Sequence, residues 1–320
     1  MAGFISFQKG MGHANGCTTR DVTLSCRQGP LVEMIEMTDR PSASSPVEKE
    51  FGVPIPGLIL PTEQWAKTAL KKVPEGLLDW PQLFGRNAPV VIDVGCGNGR
   101  SMLTSAVARP EVDHLGVDIL PVVIRYATRR GNQRGLGNTR WAVIGGRELL
   151  LNHAAPGSVA EIHCYHPQPY YRQDQASLRL ITPEFLLLVH RALTPGGRLV
   201  LQTDHPGYWK YMLSVVSLFF DFSERLMPWP NAVKGITRRE IIARRQGLPI
   251  FRGDGTARTD LVADDAMKLA ESLPLPTFNA DRRLQALDKL EQEIQPTGSG
   301  SSSPGRGNSS RSRRKPDRRR

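Results

Sequence analysis

The seven residues YHPQPYY, Tyr165 to Tyr171, form the stretch with the most unusual chemistry in the chain. Its two prolines fix φ and hold the residues before them extended, so the stretch predicts a stiff loop. Its three tyrosines offer flat faces on which a splayed nucleic-acid base could stack, although tyrosines also cover the edges of cores. Gln168 is its central polar side chain, and the stretch contains no carboxylate. The loop therefore predicts positioning of a flat substrate without a strong acid of its own.

A second stretch, DVGCGNG from Asp93 to Gly99, follows a short apolar run. Glycines at a strand-to-helix turn allow positive φ and let a ligand approach the backbone closely. The dinucleotide fingerprint G-x-G-x-x-G would need a further glycine where this chain has Arg100. The pattern resembles instead the S-adenosylmethionine (SAM) loop of doubly wound methyltransferases, with an ordinary tight turn as the plainer alternative. Its alternating glycines are Gly95, Gly97 and Gly99.

A second acid stands at the end of the next apolar run. Asp118 comes 25 residues after Asp93, as the last residue of the run 112–118. A carboxylate at the tip of the second strand can accept hydrogen bonds from both ribose hydroxyls of an adenosine. Taken alone, Asp118 is as well explained as a solvated residue at the end of a strand. Because it follows a glycine loop at this interval, we expect it to bind the ribose.

Strands and helices that alternate along the chain must position these residues. The alternation predicts an α/β fold with a doubly wound, mostly parallel sheet. Ligands of open α/β sheets bind beyond the carboxyl ends of the strands, so the glycine loop, Asp118 and the YHPQPYY loop should meet at one edge. The predicted strands are 89–94, 112–118, 140–144 and 159–164, and the predicted helices are 101–108 and 121–130.

Composition divides the chain into four parts. Residues 1–49 are weakly patterned and predict a flexible N-terminal extension, and residues 50–258 carry the alternating pattern of the α/β domain. Residues 259–295 predict a helical extension. Residues 296–320 are rich in Gly, Ser and Arg and predict a disordered basic tail. The helical extension is indicated by a cap and an apolar stripe: Asn279, then Leu284, Leu287, Leu290 and Ile294.

The net charge of +11 is uneven, because the last 23 residues alone carry +7. A basic chain favours polyanionic partners such as nucleic acid. The run TRREIIARR, Thr237 to Arg245, holds four arginines, whose geometry suits phosphate, although such runs are also solvated helix faces.

Several classes of protein are not indicated. The chain has four cysteines without a CxxC pair, no secretory signal and no apolar run of transmembrane length. These features predict a soluble, cytoplasmic protein with no membrane partner. His163, Cys164 and His166 lack a further ligand cluster, so no metal site is predicted.

Residues 51–258 resemble the bacterial tRNA (guanine-N7-)-methyltransferases. That family has an F-P-D-P-W loop, a Pro-Glu-Phe helix start, a Pro-Gly-Gly turn, a Thr-Asp strand end and a T-x-x-E segment. The Pro-Gly-Gly turn is common to many methyltransferases, but the ordered and correctly spaced set is specific. The counterparts in this chain are His166 to Tyr170, Pro183 to Phe185, Pro195 to Gly197, Thr203-Asp204 and Thr237 to Glu240.

The resemblance implies roles for the matched positions. It implies that Asp93, Asp118 and the glycine loop contact SAM, while the family's third cofactor acid falls on Gly145. The family's loop aspartate, taken as catalytic and cofactor-contacting, falls on Gln168, and Asp204 is expected to share the catalytic role. The positions expected to bind substrate are Tyr170, Arg172 (where the family has an RNA-contacting lysine), Asp204, Thr237 and Glu240.

The resemblance therefore implies a SAM-dependent enzyme that forms N7-methylguanosine in the variable loop of tRNA. Guanine N7 has a free lone pair and needs no general base, so a glutamine at the loop position removes a negative charge rather than a proton acceptor. Two alternatives stay open: a noncatalytic RNA-binding member of the same fold, and a SAM methyltransferase that acts on another RNA or a small molecule. The sequence leaves monomer and homodimer open as well.

Overall fold

A computed structural model of the chain describes residues 47–278, together with residues 285, 286 and 289. Three predictions fall outside these residues. They are most of the N-terminal extension (residues 1–46), the basic tail (residues 296–320) and the apolar stripe with its cap, namely Asn279, Leu284, Leu287, Leu290 and Ile294.

The described residues form an eight-stranded sheet and a separate two-stranded hairpin, β1–β2. The sheet has the order β3-β6-β5-β4-β7-β8-β10-β9, and β10 runs antiparallel to both of its neighbours. Strand order reverses direction between β4 and β7, which is the point where open α/β sheets bind ligands. The strands are β1 Lys49–Glu50, β2 Val53–Pro54, β3 Ala69–Leu70, β4 Val90–Val94, β5 Asp113–Asp118, β6 Thr139–Val143, β7 Val159–Tyr165, β8 Leu193–Thr203, β9 Phe220–Glu224 and β10 Phe251–Ala257.

Helices connect the strands, and several begin at sequence signals for a helix start. Thr182 caps α5 by accepting a hydrogen bond from Phe185 N, and a proline occupies the first turn of α5. The α-helices are α1 Trp80–Phe84, α2 Arg100–Ala108, α3 Pro121–Gln133, α4 Gly146–Asn152, α5 Pro183–Ala192, α6 Pro206–Val216, α7 Arg238–Arg245 and α8 Ala263–Ser272, and the 3-10 helices are Thr62–Gln64, Gln173–Leu178 and Pro230–Ala232.

Apolar clusters cover both faces of the sheet. Along β5, Leu115 and Val117 belong to the larger cluster, which also takes in α4, α5 and α6. Gly116, between them, approaches Met102 and Trp141 of the smaller cluster, which takes in α2 and α3. The doubly wound α/β fold that the sequence predicts is therefore confirmed, and each predicted strand is found within two residues of its expected limits.

Candidate active site

One pocket opens where β4 and β7 end, between the glycine loop and the YHPQPYY loop. It is bordered on its remaining sides by the end of β8, the start of α7, part of α3 and the hairpin residue Glu50. The lining comprises residues 50, 95–98, 100, 101, 122, 123, 126, 130, 165–169, 171, 203–205 and 237–239.

The glycine loop joins β4 to α2 and leaves space above its backbone. Gly95, Gly97 and Gly99 have φ angles of 73°, 52° and 80°, a region that residues with a side chain rarely adopt. A Cβ atom at Gly95 or Gly97 would meet no atom within 4 Å, whereas one at Gly99 would lie 2.7 Å from the ring of Trp141. The first two glycines therefore leave room for a ligand, and the third lets α2 pack closely on the sheet.

Asp118 supports this loop from the end of β5. Its Oδ2 accepts a hydrogen bond from Gly97 N at 3.1 Å, and its Oδ1 accepts one from Leu120 N at 2.9 Å. Burial raises the pKa of Asp118 above its usual value, although these backbone donors act in the opposite direction. The carboxylate thus stands beside the open loop, where an adenosine ribose would need an acceptor.

Asp93 lies beneath the same loop, at the end of β4, and is only 1% exposed. Its Oδ2 accepts a hydrogen bond from Ser101 Oγ, while its Oδ1 has no hydrogen-bond partner among the described residues. Burial raises the pKa of Asp93 to about 6, against the smaller opposing effects of the Ser101 hydrogen bond and of His163. The side chain supports the loop from inside and does not line the pocket.

The YHPQPYY loop turns sharply as it leaves β7. His166 and Tyr170 have φ angles of 51° and 45°, which are uncommon for residues other than glycine. Tyr165 and Tyr171 line the pocket, and Tyr170 does not. The substrate-binding role of Tyr170 stays a prediction, and Tyr171 is a second tyrosine of the loop whose ring reaches the pocket.

A buried guanidinium holds this loop in place. Arg179 is 1% exposed and donates hydrogen bonds to Pro169 O at 2.5 Å and to Tyr170 O at 2.7 Å. It also donates to Pro276 O, and it stacks on Phe278 at 3.6 Å from the ring centroid. Arg179 thus ties the YHPQPYY loop to the segment that follows α8.

Gln202 fixes the proton of His166. Its Oε1 accepts a hydrogen bond from Trp229 Nε1 at 2.7 Å, so its Nε2 faces His166 Nε2 at 3.0 Å. An amide donor requires an acceptor, which assigns the ring proton of His166 to Nδ1. That nitrogen lies 3.3 Å from Asp204 Oδ1 and donates to it.

Asp204 lies at the pocket wall just after β8 and is paired with a cation. Its Oδ2 accepts a hydrogen bond from Arg239 Nε at 2.8 Å. Burial alone would raise the pKa of Asp204, but the hydrogen bonds from His166 and Arg239 and the charge of Arg239 hold it well below its usual value. The carboxylate is therefore ionised at neutral pH, and Arg239 partly balances its charge.

Thr237, the first residue of the T-x-x-E segment, caps the start of α7. Thr237 Oγ1 accepts a hydrogen bond from Glu240 N at 3.0 Å, and Thr237 lines the pocket. Glu240 is 1% exposed and lies behind the pocket wall. Its carboxylate accepts hydrogen bonds from protein donors on both oxygens: Gln202 Nε2 and Ile236 N on Oε2, and Arg244 Nη2 and Arg252 Nη2 on Oε1.

The pocket brings only some of the predicted site residues together. Those in its lining are Gly95, Gly97, Gln168, Asp204 and Thr237. Outside the lining, Gly145 contributes no side chain at the start of α4, and Arg172 is exposed and pairs with Asp174 at 2.5 Å. The others that do not line the pocket are Asp93, Gly99, Asp118, Tyr170 and Glu240.

Comparison with known proteins identifies the family. Residues 87–253, just over half of the chain, match the family described as "Putative methyltransferase". The chain is 37% identical over 177 residues to the tRNA (guanine-N(7)-)-methyltransferase of Halorhodospira halophila, covering 55% of this chain and 77% of that protein. The chain belongs to this methyltransferase family. The enzyme of the same name from Alkalilimnicola ehrlichii is 31% identical over 185 residues, covering 58% of this chain and 78% of that protein. Among solved structures, the 16S rRNA methyltransferase KamB matches with a TM-score of 0.46 and 17% identity over 60% of this chain and 98% of that chain.

Membership of a methyltransferase family implies SAM as methyl donor, and the glycine loop fits that group. The space above Gly95 and Gly97 would be filled by any side chain, and Asp118 supplies an acceptor for hydroxyl groups beside it. Within the described residues, no cluster of three or more His, Cys, Asp or Glu side chains is arranged to hold a metal ion. No helix in that part of the chain is both long and apolar enough to span a membrane.

The pocket also contains residues that the sequence does not single out. Glu50, from β1, contacts Asn98 of the glycine loop, and three arginines surround it: Arg100, Arg130 and Arg238. In the sequence, Arg100 is notable only because it stands where the dinucleotide fingerprint would need its last glycine. The strands Lys49–Glu50 and Val53–Pro54 lie on either side of a short turn at Phe51-Gly52. Strands of two residues are too short to show an alternating pattern, so the sequence does not indicate this hairpin.

Proposed function

We propose that this member of the family transfers the methyl group of SAM to N7 of a guanine in tRNA, and that the guanine lies in the variable loop. The observation that carries the proposal is that the open glycine loop and the proline-stiffened loop border one pocket. The names of the relatives support the choice of tRNA and of guanine N7.

Gly95, Gly97 and Asp118 would hold the adenosine part of SAM, with Asp93 supporting the loop from below. SAM supplies an activated methyl group on a sulfonium centre. Gly145 provides no carboxylate for the adenine, so binding of the base would depend on the exposed apolar residues nearby, such as Ile119 and Val122, which are 63% and 43% exposed.

The acceptor side has to orient the guanine and exclude water, because N7 already carries a lone pair. Tyr171 and Tyr165 offer ring faces or edges to a base, and Pro167 and Pro169 limit the movement of the loop. Gln168 can hydrogen-bond the base as donor or acceptor. No residue is needed to remove a proton from the attacking atom.

Methylation leaves a positive charge on the base, and Asp204 is the nearest group suited to balance it. Asp204 remains ionised because its pKa is well below its usual value, and His166 orients it through Nδ1. Because Arg239 pairs with Asp204, the negative charge that Asp204 can offer to the methylated guanine depends on whether Arg239 moves away toward an RNA phosphate. While the pair is intact, stabilisation of the positive charge on the product by Asp204 should be modest.

The test is incubation of the purified full chain with labelled SAM and bulk tRNA, followed by nucleoside analysis. We expect label in N7-methylguanosine and none in other nucleosides. A matched tRNA transcript with adenosine in place of the variable-loop guanine should accept no methyl group. Binding of both SAM and tRNA without any labelled nucleoside would instead identify a member that binds RNA and does not turn over.

A further inference from the structure

A buried ionic cluster lies at the pocket wall, where β1 meets the glycine loop. Its centre is Glu50, which is 6% exposed and accepts a hydrogen bond from Asn98 Nδ2 at 2.6 Å. The guanidinium groups of Arg238, Arg100 and Arg130 surround the same carboxylate, with N–O distances of 3.3, 3.7 and 3.8 Å. We call these four charged side chains the Glu50 cluster.

The Glu50 cluster has more positive than negative charge. Arg130 has a second partner, Glu48, at 2.9 Å, but Glu48 also pairs with Arg134 at 2.9 Å. Four arginines therefore share two carboxylates, and two positive charges are left over. The remaining charged pair of the pocket lining, Asp204 with Arg239, is neutral as a pair. Since buried charge is costly unless paired, this wall lacks an anion among the residues that the structure describes.

Unsatisfied donors point to the same conclusion. Three donor atoms of the cluster, Arg100 Nη1 and Arg238 Nε and Nη2, are buried without a hydrogen-bond acceptor among the described residues, against one buried acceptor of the cluster without a donor, Glu50 Oε2, which lies 3.7 Å from Arg100 Nη1. Arg100 is 4% exposed and Arg238 has 15% of its side chain exposed, and both line the pocket. Buried donors without an acceptor are costly, so a ligand that brings an anionic oxygen to this wall gains affinity from them.

The position of the cluster identifies which anion is favoured. Asn98 belongs to the glycine loop, and its carbonyl oxygen accepts a hydrogen bond from Arg130 Nη1 at 3.2 Å. A cofactor bound along this loop has two chemically different ends, ribose hydroxyls that need an acceptor and an amino-acid end with a carboxylate that needs cations. Asp118 and the Glu50 cluster offer these two partners on the same loop.

We propose that Arg100, Arg130 and Arg238 of the Glu50 cluster bind the carboxylate of the cofactor's amino-acid end. The proposal rests on the proposed use of SAM and makes the hairpin β1–β2 part of the cofactor site. Glu50 then limits the affinity, because it competes with the ligand carboxylate for the same guanidinium groups. An RNA phosphate has the same anionic chemistry and is the competing occupant.

The experiment compares two ligands by calorimetry on the full chain. S-adenosylhomocysteine carries the amino-acid end, and 5′-methylthioadenosine lacks it. Arg238→Gln should weaken S-adenosylhomocysteine binding about 10- to 100-fold, the effect of a charge-assisted hydrogen bond, and should leave methylthioadenosine within about twofold. Glu50→Gln, which removes the competing charge, should strengthen S-adenosylhomocysteine binding severalfold. Thermal unfolding of both variants checks that they fold.

The outcomes separate this proposal from the proposed function. If wild-type protein binds neither ligand, the use of SAM fails and this assignment fails with it. If wild-type protein binds both ligands and Arg238→Gln weakens them equally, the cluster is structural and only the carboxylate assignment is overturned. It is also overturned if Arg238→Gln leaves both ligands unchanged but weakens tRNA binding and reduces its salt dependence, since that result assigns the anion to RNA phosphate.

Discussion

The two sides of the pocket are built differently. On the cofactor side, the glycine loop is held by contacts between residues close to the ends of adjacent strands, such as Asp118 with Gly97. On the acceptor side, the YHPQPYY loop depends on side chains distant in sequence, such as Arg179 with Pro276 and Gln202 with Glu240. Apart from the Glu50 cluster, the cofactor side is thus specified mainly by backbone conformation, and the acceptor side is specified by a network of buried polar side chains. Substitutions should therefore have local effects on the first side and long-range effects on the second.

The largest effect is expected at Glu240. Glu240→Ala would leave Arg252, Arg244 and Gln202 without their shared acceptor, and loss of one partner of a buried ion pair costs about 3–5 kcal/mol. Urea unfolding should show a loss of this size in the free energy of unfolding. Glu240→Gln keeps an acceptor and should lose less. Equal, small losses for both variants would mean that the network does not hold the acceptor side.

The next effect tests the loop without touching its side chains. Arg179→Ala removes the donors to Pro169 O and Tyr170 O, so the YHPQPYY loop should become more mobile and hold the guanine less often in position for methyl transfer. We expect kcat/KM for tRNA methylation to fall about 100-fold, while affinity for S-adenosylhomocysteine changes less than about twofold. Arg258→Ala, which removes a partly exposed arginine paired with Asp260, is the matched control and should retain activity. A parallel loss of cofactor affinity would contradict the separation of the two sides.

Asp93 gives the cofactor side a pH signature. Burial raises its pKa from 3.8 to about 6, so between about pH 4 and 6 the folded protein binds a proton that the unfolded chain has released. The contribution of Asp93 to stability therefore falls as pH rises through this window and is constant above it. Asp93→Asn should remove this dependence and gain about 2–3 kcal/mol relative to wild type between pH 4 and 7. The measurement is the urea midpoint of each protein as a function of pH. If the midpoints of wild type and Asp93→Asn change in parallel between pH 4 and 7, Asp93 has an ordinary pKa.

A smaller effect is expected at Asp118. Asp118→Ala removes the acceptor for Gly97 N and the acceptor that we propose for the ribose hydroxyls, and should weaken S-adenosylhomocysteine binding by about 1–3 kcal/mol. Binding of tRNA in the absence of cofactor should be unchanged. Calorimetry that shows wild-type affinity for the variant would remove Asp118 from the cofactor site.

The smallest effect is expected at Gln168. Because N7 needs no base, Gln168→Asp should retain activity or raise it slightly by adding a negative charge near the methylated base, whereas Gln168→Ala should lower kcat/KM. Asp204→Asn should be the most damaging of the three, since it removes the negative charge and leaves only one of the two oxygens that accept from His166 and Arg239. Single-turnover methyl transfer measures all three. Wild-type rates for Gln168→Ala and Asp204→Asn together would show that the pocket is not the site of methylation.

The same contrast explains what the sequence could predict. The glycine loop and the strand that ends at Asp118 are short-range patterns, because both depend on backbone conformation and on alternating apolar runs. The Glu50 cluster joins residues up to 188 positions apart, Glu50 and Arg238, and no local pattern indicates such a contact. The T-x-x-E segment shows a further reason for partial success. The same T-x-x-E register suits a helix start and a substrate site, and the burial of Glu240 among protein donors is a long-range contact that no local pattern indicates.

Two buried thiols give each side of the pocket a reporter for opening. Cys96 lies in the glycine loop and Cys164 lies near the end of β7, just before the YHPQPYY loop, and both are free and buried. Burial raises the pKa of each thiol well above its usual value, so neither reacts readily while its surroundings stay closed. Timed alkylation followed by peptide mass analysis would therefore record how often each side opens, without any engineered label. If a bound ligand slows alkylation at Cys96 alone, the two sides of the pocket open independently. If it slows alkylation at both cysteines, the two sides open together.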